Sequence, residues 1–155
     1  MSWSDLASGS PSLAKFGRQR FASEVAFLAT IRKDGSPRVH PVTPILGENR
    51  LFIFMEPTSP KGHDLRRDGR YALHCSVADS GGGEGEFFGS GTAKPIVDQA
   101  SREIAITSAG FEVAERYVLF ELEVDAAFST VYAEGGEPIR DRLKREASYT
   151  ILIGS

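Results

Sequence analysis

Short apolar runs of strand length, broken every few residues by glycine, proline or aspartate, constrain this chain more than any other feature. Val25 to Ile31 is a dense run of β-branched, aromatic and small apolar residues, as in a largely buried strand. Lys33-Asp34-Gly35-Ser36 follows, and Asp-Gly readily supplies the positive φ angles of a tight hairpin. Arg38-Val39-His40-Pro41-Val42-Thr43 resumes as a strand, with Val39 on one face and Arg38 and His40 on the other. Pro41 has no N–H for a ladder, so it belongs at an edge or a bulge, where a ligand has access. Gly47-Glu48-Asn49 turns the chain into the apolar strand Leu51 to Met55. Tyr71 to Val77, Phe87 to Ala93, Tyr117 to Val124 and Phe128 to Tyr132 continue the pattern, with a glycine-rich loop at Ser80 to Gly85.

Helical signals are fewer and shorter. Ser12 to Phe16, Asp64 to Asp68 (stopped by Gly69) and a stretch capped by Asp98 and ending near Ile106 are predicted helices. The sum is a mainly β (α+β) domain. It is expected to be an antiparallel split β-barrel of about six or seven strands with a few short peripheral helices, not a doubly wound α/β sheet. One domain over 1–155 is expected. Its core spans about 25–131, with a helical segment at 1–24 and a tail at 132–155. In that tail Ile139 to Glu146 is charged and Tyr149 to Ile153 is a short apolar end.

Charge and cysteine usage then exclude several functions. The formal net charge is −3, so no global basic field exists to hold nucleic acid or an anionic membrane. No apolar run approaches the ~20 residues needed to cross a bilayer, and no basic-then-apolar leader is visible, so the cytoplasm is the expected compartment. The single cysteine, Cys75, lies in a predicted strand and is expected to be a buried, inert thiol. His40, His63 and His74 lack ligand spacing with carboxylates, so no metal site is expected. Neither a G-x-G-x-x-G run nor a G-x-S-x-G elbow occurs.

Three segments carry possible chemistry. Thr58-Ser59-Pro60-Lys61 follows a buried strand and opens a helix; hydroxyls, free backbone amides and a lysine there would cradle a phosphate. Arg66, Arg67 and Arg70 add positive charge nearby. The plainer reading is a helix cap beside a solvated lysine. On the Arg38–Pro41 strand, the arginine has the fork geometry that suits phosphate, and the histidine could shuttle a proton or stack on a flat ring. Both could equally face solvent. Glu86, before the Phe-Phe-Gly-Ser-Gly strand, is either a site carboxylate or a surface charge.

In this order, these pieces resemble the pyridoxamine-phosphate-oxidase-like family of FMN-binding split barrels. The resemblance covers about Val25 to Val131. It rests on Leu28-Ala29-Thr30-Ile31, on Asp34 through Val42, on Leu51-Phe52-Ile53-Phe54-Met55, on Ser59-Pro60-Lys61 with Leu65-Arg66, on Tyr71-Ala72-Leu73-His74 and on Gly91-Thr92-Ala93. The resemblance implies that Arg38, Ser59 and Lys61 hold the flavin phosphate. It places Val39, His40, Pro41 and Thr43 beside the ring, and Phe54 and Met55 on a cofactor-contacting strand. Glu86 falls near a position that often carries a flavin-contacting glutamine. It further implies a homodimer with two cofactor sites at the interface.

Three departures count against oxidation of pyridoxamine phosphate itself. Pro60 interrupts the phosphate loop, Arg142 is followed by Leu143 rather than tryptophan, and the longer substrate-binding tail is not recognisable. The leading expectation is a flavin-type oxidoreductase using FMN, or the deazaflavin coenzyme, on an unidentified small molecule. The alternative is a non-catalytic protein of the same fold that holds a flavin, or holds haem through His40, His63 or His74.

Overall fold

The computed structural model describes residues 1–22 and 25–146. Helices α1 (Trp3–Gly9) and α2 (Pro11–Phe21) precede strands β1 (Ala26–Ile31), β2 (Pro37–Val42), β3 (Ile45–Gly47) and β4 (Arg50–Met55). Helix α3 (Pro60–Arg67) leads to β5 (Arg70–Cys75) and β6 (Glu86–Ile96). Helix α4 (Gln99–Ser108) leads to β7 (Val118–Val131) and β8 (Ile139–Lys144).

All pairings are antiparallel, in the order β2-β1-β5-β6-β7-β4-β3. The long strand β7 divides the sheet. Its first part, Val118 to Glu121, pairs with β4, and its last part, Ala126 to Val131, pairs with β8. A register shift at Ser90/Gly91 bends the β6–β7 pair between these regions. Gly91 is required there, because a Cβ would lie 2.0 Å from the carbonyl oxygen of Glu123. The mainly β, split-barrel architecture expected from the sequence is therefore observed, with eight strands among the described residues.

The inward faces of the strands form one core that includes Leu28, Ile53, Leu73, Phe120 and Leu122. Helices α1 and α2 close its end. Phe87 is the hub there, with Phe21 edge-on at 5.1 Å between ring centroids and Trp3 at 5.9 Å. A second cluster, Ile45, Phe52, Leu119 and Ala105, seats α4 on the other side of β4 and β7.

Several elements differ from expectation. Within the helical segment expected at 1–24, α1 is a separate helix ahead of the one read from Ser12 to Phe16, and a reciprocal capping box of Ser2 and Asp5 starts it. Tyr117–Val124 and Phe128–Tyr132, expected as two strands, are one continuous β7. The charged stretch expected as tail is β8 for residues 139–144, an almost fully exposed edge strand held by its backbone ladder. The apolar end expected at Tyr149 to Ile153 lies outside the described residues. Cys75 is buried, with Sγ accepting from the Phe87 amide at 3.2 Å.

Candidate functional site

Strand β2 is one free edge of the sheet, so its outer backbone groups are open to a ligand. Pro41 sits on this edge, as its missing donor requires. The β1–β2 register places Arg38 opposite Thr30, and both project to the inner side of the pair. Val39 and Pro41 project to the outer side and are exposed, Val39 at 62%.

Helix α3 packs across the inner side of β1 at this end. Its close seat depends on Gly62, where a Cβ would come within 2.9 Å of the Met55 sulfur. The helix brings Asp64 to Thr30 and Arg38. Asp64 is buried, at 3% exposure, and its Oδ2 accepts from Thr30 Oγ1 at 2.8 Å and Arg38 Nε at 2.7 Å. Its Oδ1 accepts from an Arg67 Nη at 3.1 Å, and that nitrogen also donates to the Ile31 carbonyl at 2.6 Å. Burial alone would raise the Asp64 carboxyl, but the hydrogen bonds from Arg38, Thr30 and Arg67 outweigh it and hold the group below the ordinary aspartate range.

Arg38, Asp64 and Arg67 line an open cavity of about 470 Å³, together with Arg32, Lys33 and His63. Four permanent cations face two carboxylates there, Asp34 and Asp64, so the cavity has a positive surplus. Asp34 is occupied in its own turn, accepting from the Ser36 amide and hydroxyl. Asp64 takes Arg38 by Nε, which leaves both terminal nitrogens of that guanidinium for a ligand.

Ser59 and Lys61 flank this cavity rather than line it. Pro60, His63, Asp64 and Arg67 share the cavity face of α3, and Lys61 leaves the helix beside it. Ser59 is buried and its hydroxyl accepts from Lys61 Nζ at 3.0 Å. Burial pushes the Lys61 ammonium below the usual lysine value. No carboxylate among the described residues pairs with it.

The remaining sequence candidates are spread along the fold. Thr43 follows β2 and lines a second cavity of about 450 Å³, between Arg18 and Phe21 of α2, Ser108 at the end of α4 and Phe111 beyond it. From Arg38 to Thr43 the edge runs roughly 17 Å at ~3.3 Å per residue. Met55 is buried beneath Gly62 of α3, and Phe54 packs in the second cluster with the Arg102 guanidinium 5.2 Å from its ring. Glu86 lies at the other end of the sheet, accepting a hydrogen bond from Tyr132 at 2.9 Å, so one chain does not bring it to Arg38.

Asp64 and Thr30 were missed as site residues. The signal for Asp64 was present: an aspartate three residues before Arg67 on one short helix. Nothing in the sequence marks Thr30, one polar residue in an apolar strand. Of the flanking arginines, Arg66 lies over the Phe120 ring and Arg70 is exposed on Asp68, so Arg67 alone of the three lines the cavity.

The outer face carries one further constellation. Phe27, His74, Phe88 and Phe128 stand opposite one another on β1, β5, β6 and β7, forming an aromatic row across the sheet. Ring centroids lie 6.5 Å apart for His74–Phe88 and 5.9 Å for Phe88–Phe128. Lys144 ends the row, its Nζ 5.5 Å from the Phe128 centroid. His74 Nδ1 lies 2.7 Å from the Cys75 carbonyl oxygen, which accepts only, so Nδ1 donates there and Nε2 is the ring nitrogen left to face outward.

Solved structures share this fold. A haem-binding protein from Mycobacterium smegmatis is 20% identical, with a TM-score of 0.67 over 86% of this chain; this chain spans 58% of that one. A NimC/NimA family protein from Clostridium acetobutylicum is 16% identical (TM-score 0.63, 86% of this chain and 93% of that one). A protein of the pyridoxinephosphate oxidase family from the same organism is 11% identical (TM-score 0.62, 85% and 93%). No curated protein matches the chain in sequence. The sequence pattern of the pyridoxamine 5'-phosphate oxidase family matches residues 17–132, most of the chain and all but the last of the strands that build the sheet, and the protein belongs to that family.

Proposed function

We propose that this protein is an FMN-binding oxidoreductase, its cofactor held along β2 at a homodimer interface. The observation that carries the reading is the basic cavity at the start of an exposed edge strand, with Arg38 and Arg67 fixed on Asp64. A phosphate fits this cavity: among the described residues nothing engages the terminal nitrogens of Arg38, and Lys61, partly desolvated, lies on its flank. The flavin supplies the electron transfer. The chain's own residues bind the phosphate, lay the ring along Val39 to Thr43 and exclude water from it.

A second protomer serves two needs. It covers the apolar outer face, where Phe27 and Val39 are 45% and 62% exposed. It also offers a route by which Glu86 reaches a cofactor, that of its neighbour's site. The deazaflavin coenzyme is supported by one feature, the extension of the cavity to Arg32 and Lys33, which suits an acidic tail.

Titration of apo protein with FMN, riboflavin and the deazaflavin coenzyme tests the reading. FMN binding much more tightly than riboflavin supports the phosphate cavity. Equal affinity for FMN and riboflavin sinks it, and preference for the deazaflavin replaces FMN.

A second reading, haem binding without turnover, is favoured by His74. Its open Nε2, set in an aromatic row that ends in Lys144, suits an axial ligand with apolar support and a cationic partner for a carboxylate. Stoichiometric haem uptake with a spectrum lost in His74→Ala supports it. A spectrum unchanged in that variant removes His74 from it.

A further inference from the structure

We infer that Asp64 is a positioning residue that gives the phosphate cavity its preference for a phosphorylated ligand; this rests on the phosphate-cavity reading above. A carboxylate beside an anion site is at first sight misplaced, because it repels the ligand. The hydrogen bonds resolve the paradox. Asp64 spends its charge on Arg38 Nε and one Arg67 nitrogen. Thr30 holds the acceptor oxygen from the floor of the barrel, at 2.8 Å.

Two long, flexible cations from different elements, β2 and α3, are thereby fixed before any ligand arrives. Each keeps unused N–H groups: both terminal nitrogens of Arg38, and Nε and one terminal nitrogen of Arg67. Without the anchor these side chains lose rotamer freedom only when phosphate binds, which weakens binding.

The two roles of a carboxylate here predict opposite signs. If Asp64 acted only through its charge, Asp64→Asn would remove a repulsion and tighten phosphate binding. If it positions the arginines, Asp64→Asn weakens binding, since an asparagine amide turns a donor toward Arg67 and releases it.

The test is the ratio of riboflavin Kd to FMN Kd, measured on apo protein by fluorescence for wild type and Asp64→Asn. The ratio is expected to fall about ten-fold in the variant, with riboflavin affinity unchanged. An unchanged or increased ratio in a variant that melts cooperatively overturns the inference. Thr30→Val decides if Asp64→Asn does not fold. It keeps all three charges and removes the hydroxyl that steadies Oδ2, so a fall in the ratio supports positioning and an unchanged ratio overturns it. Wild type that binds FMN and riboflavin equally overturns the phosphate reading itself, and the inference with it. Wild type that discriminates, beside a variant that discriminates equally, overturns the positioning role alone.

Discussion

Asp64 and Arg38 lie 26 positions apart in sequence, yet the arginine Nε donates to the carboxylate at 2.7 Å inside the barrel wall. That pair ties α3 to the edge strand that carries the proposed cofactor rail. It also sets a pH dependence. The Asp64 carboxyl is held below its ordinary value in the folded state, so its contribution to stability is complete above the unfolded aspartate pKa of about 4 and is lost as pH falls through the folded value. The urea midpoint of wild type should exceed that of Asp64→Asn by a constant margin above about pH 5, and the margin should shrink in more acidic solution. A margin that grows on acidification would contradict this sign.

Lys61 is half-buried with a hydroxyl as its partner, and burial lowers its pKa. An anion within reach would reverse that. Lys61→Met keeps the aliphatic stem and removes the charge. It should weaken FMN binding by ~1–3 kcal/mol and leave riboflavin binding unaltered. Isothermal titration of both ligands checks it; equal losses for the two would place Lys61 away from the phosphate.

Phe87 joins the N-terminal helices to the barrel through Trp3, Phe16 and Phe21. Phe87→Ala should cost about 3–5 kcal/mol by chemical denaturation. Gly17→Ala should also destabilise, because its Cβ would stand 2.5 Å from the Phe87 ring. A neutral Gly17→Ala would mean that α2 sits further from the sheet.

The outer row should be covered in solution. Wild type is expected to elute as a dimer, and Phe27→Glu as a monomer of 16.8 kDa with an unchanged far-ultraviolet spectrum. A monomeric wild type at micromolar concentration would remove the partner's share of the proposed site. A dimeric Phe27→Glu would move the interface to another face.

Much of the fold was legible because it rests on local signals. The Asp34-Gly35 turn, the alternation of β2 and the unbroken apolar run of β4 each state their own geometry, and each stands where expected. Strand β8 was not legible, because an exposed edge strand has no burial to impose a hydrophobic period; its residues Ile139 to Lys144 are ordered by backbone pairing with β7. The single span of β7 was hidden for a related reason: Asp125 and Ala126 look like an interruption, but Asp125 is the extra residue of a bulge in β7, and the ladder resumes past it, Gly91 pairing with Val124 and Ser90 with Ala126.

For the site, the sequence by itself determined which residue types are available: an arginine on an edge strand interrupted by Pro41, and a serine and lysine at the start of a short helix. It also determined the family, through the order and spacing of these pieces. Only the tertiary structure decided which of them meet. Arg38 is drawn to Asp64 and Arg67, while Ser59 and Lys61 pair with each other on the flank and Glu86 remains at the far end of the sheet. The reason is physical. Strand alternation and helix periodicity fix the direction of a side chain from its own element, but which cation a buried carboxylate gathers depends on how α3 crosses β1, and that crossing is set by the contact of Gly62 with Met55 and by packing across the whole core.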